Sequence, residues 1–133
     1  MPSILLTVLG VAVLGGLGSA VRLVLSHWHG RLPWGILTAN TAASFVVGFT
    51  ASAGFTQTLF ATTNGLDGSY FWVTVLATGF AGGLSTFSSW AAQTMHLMGA
   101  GQSRAGFYNF ALNLAFPVLA VISGLILGST LLK

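Results

Sequence analysis

The sequence predicts an all-α integral membrane protein in which four transmembrane helices form a single domain, and three observations carry that prediction. Of the 133 residues, 54% are hydrophobic and only 4% charged. A soluble domain carries about 25% charged residues, so this chain could not cover itself with a solvated surface. Four apolar runs, 4–25, 34–55, 70–98 and 107–132, each reach the roughly 20 residues needed to cross a hydrocarbon core. The stretches between them, SHWHGRLP, TQTLFATTNGLDGS and GAGQSRAG, are marked by Gly, Pro, Asn or charge, as connections are.

The first run follows an N-terminus, MPSILLTVLG, that lacks the basic region of a signal peptide and stays apolar for too long. It reads as a retained membrane helix. The second opens beside Pro33, which suits a first helical turn because the missing N–H costs nothing there. Trp28, Trp34, Tyr70 and Trp72 fall near span ends, where an aromatic belt belongs. In the fourth run Gly124 and Gly128 have GxxxG spacing and read as a helix contact. Gly10, Gly15, Gly16 and Gly18 in the first run take the same reading. No long linker, soluble domain, low-complexity segment or internal repeat stands out.

The third run is different. It contains GFAGGLSTFSSW, Gly79 to Trp90, which joins three glycines to the hydroxyls of Ser85, Thr86, Ser88 and Ser89, with Thr78 just upstream. Adjacent glycines weaken a helix, and the hydroxyls after them offer the backbone competing hydrogen bonds. Non-helical backbone at membrane depth persists only where protein buries it or where it lines a cavity. The stretch therefore predicts a third helix broken near its middle, built to expose backbone to an ion. The plainer reading is a kink at a tight crossing.

Charge narrows the function. Arg22, Arg31, Arg104 and Lys133 face a single acid, Asp67, for a net charge of +3. Four scattered cations are too few for a nucleic-acid surface. Cysteine is absent, which excludes disulfides and thiolate metal sites. His27, His29 and His96 lie in or near connections with no carboxylate but Asp67, so no acid–base pair of an enzyme can be assembled. Arg31 and Arg104 lie on one side, and Lys133, the N-terminal amine and Asp67 on the other. The positive-inside rule then places both termini outside by a small margin, which also permits insertion in both orientations.

At this point three motifs become recognisable in order. Gly79-Phe80-Ala81-Gly82-Gly83-Leu84-Ser85-Thr86-Phe87-Ser88-Ser89-Trp90 resembles the GFxGGxTTFSTF signature of the Fluc (CrcB-type) fluoride channels. Gly16-Leu17-Gly18-Ser19-Ala20-Val21-Arg22 resembles that family's GxGAxxR. Gly35-Ile36-Leu37-Thr38-Ala39-Asn40, followed by Ser44, Phe45 and Gly48, resembles its GTLxxN segment. The resemblance implies a passive fluoride channel of the plasma (inner) membrane, an antiparallel dimer with two pores and a sodium ion at its centre.

By motif position, the resemblance implies that the backbone carbonyls of Gly82 and Ser85 hold that sodium together with the same two from a second subunit. Carbonyl oxygens suit a hard cation. Phe87 fills the first of two pore phenylalanine positions, and Trp90 stands in the second. Residues three apart share a helical face, and ring edges carry partial positive charge that an anion can approach. Ser88 and Asn40 would line the pore. Asn40 could donate its amide to fluoride, or instead bond a neighbouring helix. Arg22 would draw anions into the vestibule, a role compatible with snorkelling at a span end.

Departures from the family pattern cluster in the pathway. Ile36 stands where the family has Thr, and the fourth-helix hydroxyl line is matched by Asn109, Asn113 and Pro117. The two asparagines form a polar stripe on one helical face, which Pro117 ends. These changes suit a partly degraded or non-conducting subunit of a heterodimeric channel as well as a homodimer. A small proton-coupled exporter is the rival from another class, but it needs a membrane-embedded carboxylate, and this chain has no glutamate. The expected partners are thus fluoride, the lipid bilayer and a second subunit, with no nucleic acid.

Overall fold

The computed structural model describes residues 4–28, 30, 32–60 and 68–131, and every element among them is helical. The all-α expectation is met. Arg31, His29, Asp67 and Lys133, which entered the charge and orientation arguments, lie outside the described residues. The elements are α1 (Ile4–Ser26), α2 (Trp34–Phe60), α3 (Gly68–Thr74), a π-helical stretch (Val75–Ala81), α4 (Gly82–Leu84), α5 (Phe87–Gly99) and α6 (Ser103–Leu131). Three stretches, Ile4–Ser26, Phe71–Gly99 and Ser103–Leu131, are long and apolar enough to cross a membrane; α2, the second of the four expected spans, is helical but is not among them.

Two boundaries differ from the expectation. α2 runs on to Phe60 instead of ending at Phe55, and α6 begins at Ser103 instead of Phe107. The third connection therefore shrinks to a tight turn. Gly101, at φ 74°, takes the left-handed conformation that only glycine adopts freely. Around it, Ala100 N–H donates to His96, Gly101 N–H to Met98 and Gln102 N–H to Leu97, which satisfies the last carbonyls of α5. Hydropathy alone marks where apolar residues start; this cap decides where the helix does.

The most extensive helix pair is α2 with α6. Small residues bring their backbones together: a Cβ at Gly48 would strike the Val121 carbonyl, one at Gly124 the Phe45 carbonyl, and one at Gly128 the Ser52 hydroxyl. The GxxxG pair thus sits at a crossing, as its spacing predicts. Gly18 and Gly83 do the same where α1 meets the third span, against Phe80 and Gly15 carbonyls respectively. Gly16 does not within this chain: a Cβ there would meet nothing within 4 Å. The buried centre is made of small and branched residues, with Ile36, Ala39, Ala43, Val75, Ala81 and Leu84 nearly inaccessible.

The third span changes partners along its length. Its π-helical stretch and α4 pack on α1, whereas α5 packs on α6. Between the two halves Ser85 (φ −75°, ψ 151°) and Thr86 (φ −154°, ψ 123°) are extended backbone. Ahead of them, the π-helical turn passes into α4 through Gly82 N–H, which donates to the Ala77 and Gly79 carbonyls.

Candidate functional site

The extended pair Ser85–Thr86 organises the site, because two residues out of helical conformation release backbone groups that must find other partners. A continuous helix would give Thr86 N–H to the Gly82 carbonyl. Here it donates to Asn40 Oδ1 at 2.8 Å, and Asn40 Nδ2 returns a bond to the Thr86 carbonyl at 3.2 Å. The Asn40 side chain therefore pairs with Thr86 as a strand neighbour would. The Ser85 carbonyl likewise loses its helical donor, since Ser89 N–H turns to Thr86 Oγ1 at 3.3 Å, the N-cap of α5.

The consequence is that the carbonyls of Gly82 and Ser85 are both relieved of their usual amide partners, on residues that are exposed in the single chain. They border a groove of about 310 Å³ shared with Ala43, Ser44, Val47 and Pro117. Such a donor set, uncharged oxygens relieved of their helical amide donors, fits a hard monovalent cation. Arg22 Nη1 also reaches the Ser85 carbonyl, at 3.4 Å, and Ser19 Oγ donates to the Gly83 carbonyl at 3.3 Å. Among the described residues the Arg22 guanidinium meets the Ser85 backbone oxygen. It places a positive charge beside the break.

On the other side of the break stand the aromatic rings. Phe87 and Trp90 meet edge to face with centroids 5.1 Å apart, and Trp90 stacks on Phe110 at 5.4 Å. Phe87 is 73% exposed. Ser88 is exposed too, with its hydroxyl 3.3 Å from Thr86 Oγ1. The indole N–H of Trp90 does not face outward; it donates to the Asn109 carbonyl at 3.3 Å.

Behind this aromatic face runs a buried chain of amides. Asn40 Nδ2 donates to Asn113 Oδ1 at 3.1 Å, and Asn113 Nδ2 to the Oδ1 and the carbonyl of Asn109, both at 3.1 Å. Asn109 Nδ2 donates to Thr94 Oγ1 at 2.8 Å, whose hydroxyl bonds the Trp90 carbonyl at 2.9 Å. Asn40, Thr86, Thr94, Asn109 and Asn113 are all buried. Both amide hydrogens of Asn40 are thus engaged within the chain. Ile36 is buried in the helix packing. α6 continues through Pro117, which borders the groove at the break.

The sequence pattern of the family described as "CrcB-like protein, Camphor Resistance (CrcB)" matches residues 9–125, which includes all four apolar runs in large part. The chain belongs to the CrcB-like family. Among its curated relatives is a "Fluoride-specific ion channel FluC" of Parabacteroides distasonis, 33% identical over 123 residues and covering 89% of each chain. A protein of the same name from Pyrococcus horikoshii is 34% identical over 117 residues, covering 86% of this chain and 89% of the relative. Another, from Leptospira interrogans, is 32% identical over 120 residues, covering 86% and 83%. CrcB-like relatives named as ion channels place the chain among transport proteins and not enzymes, and with its apolar helices it is a multi-pass membrane protein.

Within the CrcB-like frame, sequence reasoning singled out Asn40, Phe87, Trp90, Ser88, Asn109, Asn113, Arg22, Gly82 and Ser85. The structure gathers them around one interruption: Arg22, Gly82 and Ser85 at the break itself, the rings and the Ser88 hydroxyl on its outer side, and the amides buried behind. Three participants were missed as such. Thr86 is both helix cap and pairing partner of Asn40, Thr94 ends the amide chain, and Phe110 carries the Trp90 stack. The spacing of Thr86 to Ser89 is a readable N-cap signal. Nothing local in the sequence marks Thr94 or Phe110.

Proposed function

We propose that this chain is a subunit of a passive, fluoride-selective channel of the plasma membrane, through which cytoplasmic fluoride that entered as the neutral acid leaks back out. Membership of the CrcB-like family, with relatives named as fluoride-specific channels across most of the chain, carries the reading. The site supports it physically. An anion leaving water needs partial positive charge without a tight binding partner, because a conducted ion must also leave. The exposed edge of Phe87 and the Ser88 hydroxyl supply this, and Arg22 raises the local anion concentration. Trp90 forms the neighbouring wall, and Asn40, Asn109 and Asn113 form the polar layer behind it.

The working unit in this reading is an antiparallel dimer with two pores. Its centre holds a sodium ion bound by the Gly82 and Ser85 carbonyls of both copies. When bound, that ion supplies a fixed positive charge in a low-dielectric wall. The chain's own part is to keep those carbonyls free of amide donors, which the Asn40–Thr86 pairing and the Thr86 cap do. Proton coupling is disfavoured because no glutamate is present and the single acid, Asp67, lies in a connection.

One observation favours a second reading, a heterodimer in which this subunit's own lining is partly degraded. The Trp90 ring is wedged between Phe87 and Phe110 and spends its N–H on the Asn109 carbonyl, where a smaller ring would leave more room. Fluoride efflux from liposomes holding the purified chain alone, read by a fluoride electrode with chloride as control, separates the two. Fast efflux of fluoride without chloride is the outcome expected of a homodimer. A folded, dimeric but silent sample selects the heterodimer, and co-reconstitution with a paralogous subunit should then restore flux.

A further inference from the structure

The amide chain has a fixed polarity. At one end Thr86 offers a backbone N–H and a backbone carbonyl, so Asn40 can fit only with Oδ1 on the first and Nδ2 on the second. That leaves a single Asn40 hydrogen aimed at α6, which only an acceptor can meet, and Asn113 must present Oδ1. Asn113 Nδ2 then faces the Asn109 backbone carbonyl, again an acceptor, which agrees with the same orientation. Asn109 follows with Oδ1 toward Asn113 and Nδ2 toward Thr94. Two backbone anchors, Thr86 and Asn109, thus agree with one flip state of three buried side chains, and the bonds between the side chains and to Thr94 close it. A side-chain amide has two donors and one acceptor oxygen, and in Asn40 all are occupied.

We infer that Asn109, Asn113 and Thr94 are positioning residues: they do not contact the permeating anion but hold Asn40 in the one orientation that pairs with Thr86, and so keep the helix break and its free carbonyls in place. This deepens the channel reading and rests on it for its functional consequence. The mechanism is that of a buried polar network, in which removing one member leaves the next free to turn or unsatisfied. Thr94 touches neither Asn40 nor Thr86 in this chain of bonds, which makes it the informative place to intervene.

The test uses the full-length chain in lipid nanodiscs, with hydrogen exchange at the Thr86 amide and the side-chain amide resonances of Asn40 as readouts. Thr94→Val, close in volume and lacking the hydroxyl, and Asn113→Leu should each speed Thr86 exchange tenfold or more and shift the Asn40 resonances. Thr94→Ser, which restores an oxygen for Asn109, should return both readouts to wild type. Exchange at Ala120, at the α2–α6 crossing, serves as the control for general loosening. Unchanged Thr86 protection in Thr94→Val, or equal acceleration at Ala120, overturns the inference. Should the wild-type chain carry no fluoride either alone or with a paralogous subunit, the channel reading fails while these readouts still decide the positioning role. Should it conduct, flux should fall in the order in which Thr86 protection is lost.

Discussion

Asn40 is bonded to neighbouring elements of the chain, the second of the two readings its motif leaves open. Its amide reaches across 46 positions of sequence to replace the helical partner of the Thr86 N–H, and this is why a broken backbone is tolerated at membrane depth. Asn40→Ala should destabilise the protein by about 1–3 kcal/mol by leaving the Thr86 N–H unsatisfied, measured as a fall in melting temperature in detergent. Asn40→Asp keeps an acceptor for Thr86 N–H but turns a second oxygen on the Thr86 carbonyl and Asn113 Oδ1, which are acceptors themselves. Fluoride efflux should be suppressed by tenfold or more, and unchanged efflux would remove Asn40 from the site. Trp90→Phe is expected to act in the opposite direction. It keeps a ring between Phe87 and Phe110 and leaves the Asn109 carbonyl its bond from Asn113, so stability should change by about 0.5–1.5 kcal/mol at most. With the smaller ring, efflux should rise.

At the scale of elements, the interruption lets one span serve two partners, α1 ahead of it and α6 behind. The sequence made the interruption readable because Gly82, Gly83 and the hydroxyls after them are local signals. Its partners were not readable, since Thr94, Asn109 and Asn113 become a chain only once α5 and α6 are antiparallel neighbours across the Gly101 turn. The glycines illustrate the same limit. Composition treats Gly16 and Gly18 alike, yet a Cβ at Gly18 would run into the Phe80 carbonyl and one at Gly16 meets nothing within 4 Å. Gly18→Ala and Gly83→Ala should therefore lower stability by about 1–3 kcal/mol through overpacking against backbone that cannot turn aside. Gly16→Ala should be neutral or slightly stabilising, by a few tenths of a kcal/mol to about 1 kcal/mol, from helix propensity. Thermal unfolding of the three variants side by side checks this, and a similar loss in Gly16→Ala would show that its open face is covered by another subunit.

For the whole molecule, the described helices leave most of their apolar side chains exposed, including Val24 and Leu23 on α1 and Leu119 and Ile126 on α6. Lipid and a second copy both accept such surfaces, so packing alone does not choose an orientation; charge must. With four spans, the sequence would set Arg22, Arg31 and Arg104 toward one side against Lys133 toward the other, a bias too small to fix topology firmly. An antiparallel dimer built from one kind of chain requires that weakness, because half the copies must insert each way. The absence of cysteine from the sequence makes the question direct to test. Ser103→Cys places a single thiol on the exposed start of α6, beside Arg104. A membrane-impermeant maleimide added to sealed vesicles should label about half of the chains, and the remainder only after permeabilisation, if the charge bias is as weak as it reads. Labelling from one side alone would mean that every copy points the same way. Fluoride flux would then require a different, oppositely inserted subunit, and the stacked Trp90 would belong to a chain that shares its pore with a partner.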